Sequence, residues 1–136
     1  MPIGACPDVA PDDVCDSRSV RHSFVIVDDH APFRAAAGAL LEAEGYRVVG
    51  EAEDGASALV VVRAVRPDVV LLDVQLPDMN GFDVAERFAK EGIMAAVVFI
   101  STRGVSAFRW RLTTNPTWRF IAKSELSGEA LAAAIG

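Results

Sequence analysis

The sequence predicts an α/β protein of five strand–helix units, with a parallel sheet between two layers of helices. Two observations carry this. Short unbroken apolar runs recur at 24–27, 69–72 and 97–100, as expected for strands buried on both faces. Between them lie segments rich in Ala, Leu and Glu that stop at Gly or Pro, as crossover helices do. A third observation concerns function. The runs end in polar groups: Asp28-Asp29, Asp73, Ser101 and, after a fourth run, Lys123. Open α/β sheets keep their ligand crevices at this carboxyl rim.

The elements follow in order. With 136 residues the chain is expected to hold one domain with a substantial core. Residues 1–21 contain three prolines and four aspartates with little periodicity, and read as a disordered N-terminal tail before a domain at 22–136. Cys6 and Cys15 lie in that tail and match no metal-ligand spacing. After the first strand, Ala31 to Glu44 reads as a helix stopped at Gly45. Tyr46 to Ala52 suits an outer strand, and Ala56 to Val65 a helix weakened by three consecutive valines and ended by Arg66-Pro67. The Asp73 strand runs into a loop shaped by Pro77 and Gly81, then a short helix from Phe82 to Lys90 that closes near Gly92. A fourth helix must fit between Gly104 and Asn115-Pro116, so it is expected to be short or distorted. The last begins at an N-cap, Ser127.

An apolar content of 51% with mixed charge fits a soluble globular protein, and a net charge of −6 argues against general nucleic-acid binding. No apolar run approaches the roughly 18 residues of a membrane span. The N-terminus has acids where a signal peptide has a basic region, so a cytoplasmic location is expected.

Three carboxylates at one rim repel each other unless a cation sits between them. All-oxygen ligation points to a hard ion, and Mg²⁺ takes one or two carboxylates together with water and phosphate oxygens.

Asp28-Asp29, Asp73 with Pro77 and Gly81, Ser101 and Lys123 together resemble the receiver domain of two-component response regulators, over roughly residues 22–135. The spelling DDHAPFR and the later AKSEL resemble the branch that usually precedes a helix-turn-helix effector. The resemblance, with right-handed crossovers, implies a flavodoxin-like strand order of 2-1-3-4-5.

It also implies roles. Asp73 would be the phosphoryl-accepting nucleophile, served by a sensor histidine kinase or a phosphotransfer protein. Asp28, Asp29, Asp73 and the Gln75 main-chain carbonyl would hold Mg²⁺. Lys123 and Ser101 would bind phosphoryl oxygens, with Thr102 a rival for the serine's part. Ser101 and the switch aromatic Phe120 would carry the conformational change. The chain would then be a phosphoacceptor rather than an enzyme acting on others. It would be a stand-alone receiver or a fragment of a longer regulator, meeting DNA only through an effector domain that it does not itself carry.

Two other classes fit the residues less well. A receiver-like interaction module that ignores phosphate would not need the complete set of acids, Ser and Lys. A phosphatase of the haloacid-dehalogenase type wants an acid two residues after the nucleophile, where this chain has Gln75.

One further pattern stands outside the motif. From Ser101 to Lys123 there are five basic residues and no acid, interleaved with both tryptophans. Arg103, Arg109, Trp110, Arg111, Trp118 and Arg119 are therefore expected on a partner face formed by the fourth helix, fifth strand and fifth helix. That face would meet a second copy or an effector, since Arg and Trp are enriched at interface hot spots.

Overall fold

The computed structural model describes residues 22–104, 108–112, 115 and 117–135. The expected tail, 1–21, lies outside the described residues, and Cys6 and Cys15 with it.

The described elements, in chain order, are β1 (Ser23–Val27), α1 (Ala31–Ala43), β2 (Arg47–Ala52), α2 (Gly55–Val65), β3 (Val69–Asp73), α3 (Gly81–Lys90), β4 (Ala96–Ser101), α4 (Arg109–Leu112), β5 (Arg119–Ala122) and α5 (Gly128–Ile135). All strand pairings are parallel, and the order is β2-β1-β3-β4-β5. The chain passes from β1 to β2 on one side and returns to β3 on the other. The carboxyl ends of β1 and β3 therefore flank the topological switch point.

Strand alternation builds the two half-cores. Phe24, Ile26, Leu71, Val98 and Ile100 face α1 and α5, where they meet Ala37, Leu41 and Leu131. Val25, Val27, Leu72, Val97 and Phe99 face α2 and α3, against Leu59, Val62, Phe82 and Phe88. Both faces are covered, so these strands show no polar residue in their interiors. Each such aliphatic side chain, fully buried, contributes about 1.5–3 kcal/mol.

Local chemistry sets the helix ends. Asp54 caps α2: its carboxylate accepts the Ser57 N–H at 2.8 Å, and the Ser57 hydroxyl accepts the Asp54 N–H, completing a reciprocal box. That helix stops at Arg66, which is left-handed (φ 48°) before Pro67. Asn80 caps α3 by accepting the Asp83 N–H, and Gly92, at φ 73°, ends the segment that follows it. Ser127 caps α5 through the Ala130 N–H, as the sequence suggested. The fourth helix is one turn long among the described residues. No helix among them is long and apolar enough to cross a membrane.

Candidate functional site

The carboxyl rim gathers the acids. Asp28 follows β1 and is fully buried; Asp73 is the last residue of β3 and 5% exposed; Asp29 is exposed beside them. Their carboxylates can present oxygens within 4.8 Å of one another. Lys123, leaving β5 in a single 3₁₀ turn, reaches back to both buried acids. Its ammonium lies 2.5 Å from Asp28 Oδ2 and 3.4 Å from Asp73 Oδ2, and 4.5 Å from the centre of the Phe33 ring.

The remaining lone pairs are partly assigned. Asp28 Oδ1 accepts the His30 N–H at 2.8 Å, and Asp73 Oδ1 accepts the Gln75 N–H at 3.0 Å. Asp28 Oδ2 is held by the Lys123 ammonium at 2.5 Å, a short charge-assisted contact. Two buried carboxylates gathered with a third, exposed one, all hard oxygen donors, suit a small divalent cation such as Mg²⁺. The donor set fits.

The electrostatics agree. Burial pushes the Asp73 carboxyl up to about 6; the Asp28 charge adds to this, while the Gln75 N–H and Lys123 work against it. Burial alone would lower Lys123, but Asp28 and Asp73 outweigh it and hold the ammonium above its usual value.

A stability consequence follows. A carboxyl whose folded pKa is raised binds its proton more tightly in the folded state. Its contribution is therefore fully present below the unfolded value of 3.8 and is lost as pH rises through about 6. In metal-free solution, Asp73→Asn is expected to gain on wild type across that window, reaching about 1–3 kcal/mol by pH 7. Urea melts of both proteins at pH 4 and pH 7 check this; a difference that does not change with pH contradicts it.

The loop after β3 is built to hold Asp73 in place. The Gly81 N–H donates to the Val74 carbonyl at 2.7 Å, and a Cβ on Gly81 would collide with the Asp73 carbonyl oxygen. The Asp78 carboxylate takes the Gly55 and Ala56 N–H groups at 2.8 and 3.0 Å, tying this loop to the start of α2; those bonds keep its pKa low. Between this loop and α4 opens a cleft of about 480 Å³ floored by Phe82 and Phe108, with Trp110 and Arg111 at its edge.

Ser101 ends β4 next to β3 and is fully buried; its Oγ accepts the Arg103 N–H at 3.0 Å. Thr102, its rival, is exposed. Phe120 is half-buried against Phe108, ring centres 5.9 Å apart. Gln75 is exposed on the loop, and its backbone bridges to Asn80.

The expected partner face needs correction. Trp118 is 7% exposed and packs edge-on against Phe99 at 5.2 Å and against Phe82 at 5.9 Å, so it is core. The reason is strand alternation: Trp118 and Phe120 turn toward α3, while Arg119 turns away. Arg111 is partly spoken for as well. Its guanidinium lies over the Phe82 ring and pairs with Glu86 at 3.3 Å, with Asp83 at 3.9 Å. Arg103, Arg109, Trp110 and Arg119 are exposed.

Two residues at the site escaped the sequence reading. Asp78 is one; the other is Arg34, whose guanidinium reaches the Asp28 main-chain carbonyl. Nothing local in the sequence marks contacts to residues so distant.

Comparison with known proteins bears on this geometry. The response regulator receiver domain family matches residues 24–135. The positive transcription regulator BvgA of Bordetella pertussis is 32% identical over 113 residues, covering 83% of this chain and 54% of that protein. The transcriptional regulatory protein NarL of Mycobacterium tuberculosis is 34% identical over 112 residues, 82% of this chain and 52% of its own. The chain thus spans about half the length of the curated relatives it matches. The solved signal receiver domain of the M. tuberculosis NarL response regulator superposes with a TM-score of 0.71 at 32% identity, covering 85% of this chain and 98% of that one. A LuxR-family two-component response regulator from Aurantimonas superposes with a TM-score of 0.75 at 28% identity, covering 85% and 82%. With its fold, the gathered acids and these matches in agreement, the chain belongs to the response regulator receiver domain family.

Proposed function

We propose that Asp73 accepts a phosphoryl group from a histidine kinase or phosphotransfer protein and that the domain switches conformation as a result. The observation carrying this is the placement of Lys123 between Asp28 and Asp73, at a rim with Asp29 alongside. An Asp73 carboxylate oxygen would attack phosphorus as the phosphorus–nitrogen bond of a phosphohistidine breaks, the electron pair leaving with the imidazole. Asp28, Asp29, Asp73 and the Gln75 carbonyl would hold Mg²⁺. That ion supplies positive charge between an anionic nucleophile and an anionic phosphoryl group. Lys123 would exchange part of its pairing with Asp73 for a phosphoryl oxygen, and Ser101 would donate its hydroxyl proton to another. Phe120 would follow Ser101 inward.

Incubation with a small acyl-phosphate donor tests this reading. Phosphoprotein is expected to form with Mg²⁺ and to vanish with chelator; equal labelling in both would overturn it. The complete set of acids, Ser and Lys weighs against a module that ignores phosphate.

The domain would work in the cytoplasm, from residue 22 onward, behind an N-terminal tail. Its output would run through the α4–β5–α5 face, where Arg103, Arg109, Trp110 and Arg119 offer a basic, aromatic surface to a second copy or an effector. Contact with DNA would come through a separate effector domain, as the relatives named as transcription regulators suggest.

A further inference from the structure

We propose that Arg34 positions the acid cluster for its cation, and that Glu51 both orients Arg34 and neutralises it. The inference rests on the reading of the cluster as a metal site. Val27 is the last residue of β1 paired to both neighbours, opposite Ala52 of β2 and Leu72 of β3. The Asp28 N–H still donates to the Ala52 carbonyl at 3.0 Å, but the Asp28 carbonyl lies beyond both ladders. A backbone carbonyl at a buried residue needs a donor. Arg34 supplies one: from the first turn of α1, its Nη1 donates to that oxygen at 2.5 Å.

The consequence falls on Asp29. Asp28 is held at its N–H by Ala52, at Oδ1 by the His30 N–H and at its carbonyl by Arg34. With the carbonyl fixed, the plane of the peptide joining Asp28 to Asp29 is fixed, and so is the direction in which Asp29 leaves the strand. Asp29 is the exposed member of the cluster, and its carboxylate makes no hydrogen bond or ion pair among the described residues. Its placement therefore depends on backbone that Arg34 holds.

Glu51 answers a second difficulty. A guanidinium beside a cation site would repel the cation. Here Nε donates to Glu51 Oε1 at 3.0 Å, so the donor comes as a neutral pair. The planar fork serves both acceptors at once, Nη1 inward and Nε outward, which a lysine's single ammonium does less well. Arg34 is thus a positioning residue: it acts on the ligands rather than on the ion.

Calorimetric titration of Mg²⁺ into the full chain tests this, read as Kd, with melting in chelator to verify folding. Groups that orient metal ligands typically change affinity about 10–100-fold, so Arg34→Ala is expected to weaken Mg²⁺ about 10-fold, with Arg34→Lys recovering part of it. Glu51→Gln keeps an acceptor for Nε but strands the positive charge. It is expected to weaken binding about 3-fold at low salt, with the difference shrinking as salt is raised. Arg63→Ala breaks the Arg63–Glu91 pair away from the rim and is expected to keep wild-type affinity. If Arg34→Ala does not fold, Arg34→Lys and Glu51→Gln decide the matter. Wild-type affinity in the Arg34 variants, or an equal loss in Arg63→Ala, overturns the role of Arg34 while leaving the metal site standing. A wild-type chain that binds no Mg²⁺ overturns both.

Discussion

Ser101→Ala is expected to leave Asp73 able to accept a phosphoryl group and to abolish the structural response to it. In the present conformation the Ser101 hydroxyl is buried at the end of β4, and its oxygen accepts the Arg103 N–H at 3.0 Å. Its proton is therefore available for a newly arrived anionic oxygen, and any movement of the side chain pulls on the backbone of Arg103 and the loop after β4. Loss of one methyl-sized polar group at such a position removes this mechanical link without touching the three acids. A ligand-driven shift needs a free-energy difference between two states, and a hydrogen bond from Ser101 to the phosphoryl oxygen would supply part of it. Amide chemical shifts of wild type and Ser101→Ala, with and without beryllofluoride and Mg²⁺, give the comparison. Changes are expected from residue 101 to β5 in wild type and only around the acids in the variant. A full wild-type pattern in Ser101→Ala would remove Ser101 from the switch.

Trp118→Ala is expected to destabilise the fold by about 3–5 kcal/mol, because it empties a site filled by the largest side chain in the sequence. The indole closes the α3-side core against Phe82 and Phe99. For a domain of this size the melting temperature should fall by about 10 °C or more. Trp110, 68% exposed at the edge of the cleft, is the internal control. Trp110→Ala should change stability by no more than about 0.5 kcal/mol. Combined with Arg109→Glu it should instead weaken self-association or capture of an effector. Equal melting temperatures for the two tryptophan variants would contradict this division between core and surface.

The division also shows what was legible in the sequence. The strand ends were legible because parallel strands are apolar throughout, so Asp28, Asp73, Ser101 and Lys123 each stood at a visible boundary. That boundary is a physical requirement: a charge inside such a strand would be buried without a partner. The partner face was only half legible. Composition marked the stretch from Ser101 to Lys123 as basic and aromatic but could not say which aromatic turns inward. The period of two across Trp118 and Phe120, opposite Arg119 and Ile121, held that information once the strand's limits were known. Asp78 and Arg34 were not legible. Each acts on backbone groups brought near by the fold, Asp78 on the start of α2 and Arg34 on the end of β1. Arg34 closes the DDHAPFR stretch and Asp78 lies in the loop after β3, but no local pattern says which distant backbone group either side chain reaches.

The central claim is that Asp73 accepts the phosphoryl group and that the acids around it hold the cation that makes this possible. The modified residue, mapped by mass spectrometry after borohydride trapping of the acyl phosphate, tests it most directly. Wild type, Asp73→Asn, Asp28→Asn and Asp29→Asn would be treated with one donor, with Mg²⁺ and with chelator. A single modified residue, Asp73, is expected in wild type with Mg²⁺. None is expected in chelator or in Asp73→Asn, with labelling rates about 100-fold lower in the other two, the upper end of what loss of a metal-site group produces. Label on any other residue at the wild-type rate, or label on Asp73 that ignores chelator, would contradict it.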